Sequence, residues 1–117
     1  MIVFLTKDLM IQSNASSAAR QSDIEVKAIG NLDEAISLIG ANSAGLLLVD
    51  LQMPGLDLEE LISEYSSLET PCRAIAFAQH VEEELIARAR AGGFEAVLTR
   101  GQFSRDLPKI VRAFAAR

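Results

Sequence analysis

The sequence predicts an α/β fold, five β-strand/α-helix units in a row with a parallel sheet covered on both sides. Three observations predict it. Apolar runs alternate with helix-period segments along the whole chain, without repeat, linker or low-complexity tract. One run, Leu46-Leu47-Leu48-Val49, is apolar at four consecutive positions, as in a strand buried on both faces of a parallel sheet. The length, 117 residues, suits one domain, residues 1–117, that buries roughly two thirds of its unfolded surface without staples.

The elements follow in order. Ile2–Leu5 is the first strand, and a helix starts near Asp8, weakened by Ser13, Asn14, Ser16 and Ser17. In the second strand, Ile24 to Ile29, apolar Ile24, Val26 and Ala28 alternate with Glu25 and Lys27, charges that suit an edge position. Asn31 with Glu34 three residues on resembles a capping box, and Gly40 lies near that helix's end. After the buried strand Leu46–Asp50, a helix from about Asp57 puts Leu58, Leu61, Ile62, Tyr65 and Leu68 on one face. Pro71 precedes the fourth strand, Ala74–Ala78. Glu82–Glu84 open a further helix that Gly92–Gly93 end, and Ala96–Leu98 is the fifth strand. In the last helix Ser104 is the expected cap, Leu107, Ile110, Val111 and Phe114 the core stripe, and Arg105, Lys109 and Arg112 the opposite face.

Composition narrows the function. Hydrophobic residues make up 50% and aromatic residues 5%, so an aliphatic core is expected. The net charge of −5 argues against a nucleic-acid partner. The charge is uneven: residues 1–85 carry 4 basic and 14 acidic side chains, residues 86–117 carry 7 basic and 2 acidic. Cys72, the single cysteine, excludes an internal disulfide and fits the reducing cytoplasm. Ile2–Leu5 is too short for a signal peptide or a membrane span. His80 has no nearby His or Cys to make a transition-metal site, and Cys72 reads as an apolar filler. No Gly-rich phosphate loop follows a strand, which argues against nucleotide or flavin binding.

Asp50 stands at the carboxyl end of the buried strand, where open α/β sheets place their chemistry. The segment Val49-Asp50-Leu51-Gln52-Met53-Pro54, the ending Leu98-Thr99-Arg100 and the five-fold β/α order together resemble the receiver domain of two-component response regulators. The resemblance covers essentially the whole chain. It implies a flavodoxin-like (βα)5 three-layer sandwich with a parallel five-stranded sheet of order 2-1-3-4-5, and it makes Asp50 the phosphoacceptor position. The acidic pair that holds Mg2+ in the family corresponds to Thr6 and Lys7, with Asp8 one residue further on. The hydroxyl residue ending the fourth strand corresponds to Ala78, the lysine ending the fifth to Arg100, the proline after it to Gly101, and the switch aromatic to Val97. The glycine of the next turn is replaced by Leu58.

These departures imply a degenerate pocket: Thr6, Lys7, Asp8, Ala78 and Arg100 around Asp50. Mg2+ wants near-octahedral oxygen ligands with one or two carboxylates, which Thr6 and Lys7 do not supply. A buried carboxylate needs a partner or a proton, so a Lys7–Asp50 ion pair is expected, with Arg100 as a second cation. The Arg100–Gly101 bond is expected trans. Ala78 and Val97 cannot form the couple that transmits phosphorylation. The resulting expectation is a cytoplasmic signalling module, not an enzyme, that works through protein contact without Mg2+-dependent phosphorylation. Its partner would be a signalling protein or histidine kinase component, or a second copy through the face of the fourth helix, fifth strand and fifth helix. Arg105, Lys109 and Arg112 are the expected interaction surface, and neither nucleic acid nor membrane is a partner. The alternative is a working receiver phosphorylated on Asp50 by a histidine kinase, with Mg2+ as cofactor and Asp8 as an improvised ligand.

Overall fold

The computed structural model describes residues 1–41 and 44–116. Arg117, counted above with the basic end, lies outside them. Five strands, β1 (Ile2–Leu5), β2 (Val26–Ile29), β3 (Leu46–Asp50), β4 (Arg73–Ala78) and β5 (Ala96–Thr99), alternate with α1 (Leu9–Gln21), α2 (Leu32–Gly40), α3 (Leu58–Ser66), α4 (Glu83–Arg90) and α5 (Arg100–Ala115). All pairings are parallel, in the order β2-β1-β3-β4-β5. This is the flavodoxin-like arrangement, and the chain reverses direction across the sheet between β1 and β3. The charged β2 occupies an edge, as its alternation predicts. It starts at Val26 rather than Ile24, because the α1–β2 turn holds Ile24, whose N–H donates to the Ala19 carbonyl.

The pleat sends successive side chains to opposite faces, and each face meets its own helices. Ile2, Phe4, Leu46, Leu48, Ile75 and Phe77 pack under Ile11, Ala15 and Ala19 of α1 and Phe103, Leu107 and Val111 of α5. Val3, Leu5, Leu47, Val49, Ala74, Ala76 and Ala78 pack under Ala35 and Ile39 of α2, Leu58 and Leu61 of α3, and Ile86 and Ala89 of α4. The core is not uniformly aliphatic. Phe77 and Phe103 stack with centroids 4.2 Å apart, and Phe4 meets both edge-on. Few aromatics suffice here because three of the five phenylalanines converge on one side of the sheet.

The helix starts are set by side chains. Asp8, Asn31 and Asp57 accept backbone N–H groups as N-caps of α1, α2 and α3. The cap of α5 is Thr99, not Ser104. Its hydroxyl accepts the Gln102 N–H while the Gln102 side chain accepts the Thr99 N–H, which starts the helix five residues before Ser104. Gly92 follows α4 where a Cβ would lie 2.5 Å from Ile62 Cδ1, so the glycine lets the end of α4 close on α3. Among the described residues, no helix is long and apolar enough to cross a membrane.

Candidate functional site at the carboxyl edge of the sheet

Asp50 is 5% exposed, and both its carboxylate oxygens have internal donors. The Thr6 hydroxyl donates to Oδ2 at 3.0 Å and the Gln52 N–H to Oδ1 at 3.0 Å. Thr6 Oγ1 in turn accepts the Asp8 N–H at 3.1 Å, so its own hydrogen is committed to Asp50. The Asp8 carboxylate caps α1, accepting from Met10 and Ile11 N–H at 3.0 and 3.2 Å, and its other oxygen takes the Arg100 guanidinium. The Ile11 N–H, against an opposing push from burial and with help from Arg100, holds the Asp8 carboxyl below its ordinary range. Arg100 also lies over the Phe77 ring, 5.7 Å from its centroid. The peptide bonds of the described residues are all trans.

The expected Lys7–Asp50 ion pair is not formed. Lys7 is exposed, and its Nζ donates to the Pro54 carbonyl at 3.2 Å after its side chain runs past Gly30. Strand parity is the reason. Phe4 pairs with Leu48 in the β1–β3 register, which places Thr6 and Asp50 on the α1/α5 side and turns Lys7 to the other. Arg100, expected as a second cation on Asp50, is held by Asp8 instead.

The same parity sorts the remaining residues. Lys7, Asp8, Asp50, Gln52, Pro54, Gln79 and Arg100 line a shallow depression of about 310 Å3 over the carboxyl edge. Thr6, 1% exposed, lies beneath it. Ala78 does not reach it: Asp50 pairs with Phe77, so Ala78 faces the α2–α4 layer, fully buried. The residue that replaces it at the rim is Gln79, whose N–H donates to Gln52 Oε1 at 2.7 Å and ties the loop after β4 to the loop after β3. Gly55, at φ +84°, makes the turn that carries the Pro54 carbonyl toward Lys7. Arg105, Lys109 and Arg112 form an exposed face on α5, remote from the depression's lining, with Arg105 Nε 3.2 Å from Asp106. His80 is exposed in the loop after β4. Cys72 packs against the core, and burial pushes its thiol up.

Five parallel strands in this order, with a carboxylate at the end of the third and helices on both faces, define a flavodoxin-like α/β domain with a site at its β1/β3 switch point. The sequence matches the response regulator receiver domain family over residues 5–112, and the chain belongs to that family. No curated protein sequence matches it. Among solved structures, a two-component response regulator from Clostridium difficile has a TM-score of 0.79 at 20% identity, covering 99% of this chain and 95% of that one. The receiver domain of a sensor histidine kinase from Pseudomonas aeruginosa, with a magnesium ion coordinated in its active-site cleft, gives 0.79 at 15%, covering 99% and 97%. The receiver domain of NtrX from Brucella abortus gives 0.73 at 17%, covering 98% and 97%. These likenesses concern the fold.

Proposed function

We propose that this receiver domain works as a protein-contact module of two-component signalling in the cytoplasm, without Mg2+-dependent phosphorylation of Asp50 and without catalysis of its own. The observation that carries the reading is the occupation of Asp50 and its neighbours. A hard divalent cation would need several oxygens turned toward Asp50, one or two of them carboxylates besides the substrate's. The donor set does not fit that need. The Thr6 hydroxyl is bound to Asp50, Lys7 brings an ammonium to the mouth of the depression, and the Asp8 carboxylate is used by α1 and Arg100. Arg100 already neutralises the nearest carboxylate permanently, which a metal would do reversibly. Signalling then rests on surfaces, and the exposed basic face of α5 is the contact surface for an acidic face of a signalling protein or histidine kinase component.

Incubation with Mg2+ and a small phosphodonor such as acetyl phosphate tests this by intact mass. No phosphoryl adduct is expected, and a Mg2+ titration is expected to leave the spectra unchanged at millimolar metal. An adduct on most of the protein that Asp50→Asn abolishes overturns the reading. It would favour the second one, a working phosphoacceptor, whose support is Asp50 itself at the floor of an open depression.

A further inference from the structure

Charge in this molecule is sorted by layer. Helices α1 and α5 carry Arg20, Arg100, Arg105, Lys109 and Arg112 against Asp106, with Asp8, the cap of α1, paired to Arg100. The α2/α3/α4 layer, on the other side of the sheet, carries Asp33, Glu34, Glu59, Glu60, Glu64, Glu83 and Glu84 against Arg88 and Arg90. Both cations of the acidic layer are engaged within it or on the sheet, Arg88 with Glu59 and Arg90 with the Val97 carbonyl. Among the described residues, Asp33, Glu34, Glu60, Glu64, Glu83 and Glu84 have no ion-pair partner, and neither have Arg20, Lys109 and Arg112. All nine side chains are exposed. The molecule is therefore a slab, 23 Å through its shortest extent, with one net-positive and one net-negative helical face.

We infer that the α1/α5 layer of one copy docks on the α2/α3/α4 layer of a second copy, front to back. A symmetric contact of either layer with its own copy would set like charges against like. The front-to-back contact sets Lys109 and Arg112 against carboxylates of α3 and its neighbours, and it is heterologous, so it propagates unless the rotation closes it. The net charge of −5 opposes association at long range, while the complementary faces act at contact, within a Debye length. Exposed pairs are individually weak, so the contact is concentration-dependent and strongly salt-sensitive. This inference shares with the proposed function only the use of α5 as a contact face, and it is independent of what Asp50 does.

Sedimentation velocity at rising protein concentration tests it, at about 20 mM and about 300 mM salt, where the Debye length is about 20 Å and about 6 Å. The expected result is association at low salt, weakened at least about tenfold at high salt. Lys109→Glu/Arg112→Glu and Glu60→Lys/Glu64→Lys are each expected to be monomeric at low salt with unchanged circular dichroism, and their equimolar mixture to associate again. A parent chain that stays monomeric at low salt overturns the inference, whatever the variants do. Association that is indifferent to salt overturns it too. So does a mixture that fails to associate while both variants remain folded. None of these outcomes touches the phosphodonor result above.

Discussion

On the α1/α5 side of the sheet β4 presents Ile75 and Phe77; on the other side the same strand presents Ala74, Ala76 and Ala78. At β4 the first layer sets large rings that interlock, the second only methyl groups, with the bulk there supplied by Leu, Ile and Val of the other strands and helices. The difference decides the site as well as the core. Phe77, stacked on Phe103, offers the ring face under the Arg100 guanidinium, and Arg100 then claims Asp8. On the alanine side β4 offers the carboxyl edge no polar side chain, so Ala78 contributes shape and no side-chain hydrogen bond.

The sharpest way to break the comparison is to remove the keystone ring. Phe103→Ala is expected to cost about 3–5 kcal/mol in urea unfolding, the largest single effect here, because the void opens between Phe4 and Phe77. A loss below about 1 kcal/mol would mean that the rings are not what holds α5. The opposite layer should be sensitive to addition instead. Ala76→Val, at a fully buried methyl, is expected to cost about 1–3 kcal/mol by overpacking, read from the same unfolding curve. Thr6→Val keeps the shape but leaves Asp50 Oδ2 without its donor, and about 1–2 kcal/mol of stability should go with it.

The smallest effect concerns Asp8 and depends on pH. Its carboxyl titrates lower in the folded chain than the ordinary value of 3.8. The stabilisation this brings is therefore complete above that value and is lost as pH falls through the lower folded value. Asp8→Asn keeps the cap without the charge. The stability difference between parent and variant, measured by denaturation, should thus be largest near neutral pH and shrink as pH drops below 3.8. A difference that does not change with pH would show that the Asp8 charge contributes nothing to folding.

The succession of elements, the helix starts near Asp8 and Asp57, the cap at Asn31, the edge position of β2 and the exposed stripe on α5 were legible as local pattern, while the strand order came from the family resemblance. The partners of Asp50 were not legible, although part of the answer was within reach. Counting pleat parity back from Asp50 and across the β1–β3 register puts Thr6, not Lys7, on the carboxylate's side. The pattern Thr99-x-x-Gln102 carries a capping-box signature that outranks Ser104. The Asp8–Arg100 pair had no local signal at all, because it depends on where α5 lies against α1. The convergence of three phenylalanines from β1, β4 and α5 is likewise a property of the assembled layer, invisible in a low aromatic percentage.

That pair also has a consequence for how the chain is made. Asp8 and Arg100 are 92 positions apart, and the ring pile joins β1 to α5 across a similar span. On a ribosome the amino-terminal strand leaves first. Helix α1 is made early and packs on the same side as Phe4, but the stack of Phe77 on Phe103 cannot close until α5 arrives. The half of the domain that begins first is the half that is finished last. A chain interrupted before α5 lacks Phe103, Leu107 and Val111, and with them half the cover over Phe4 and Phe77.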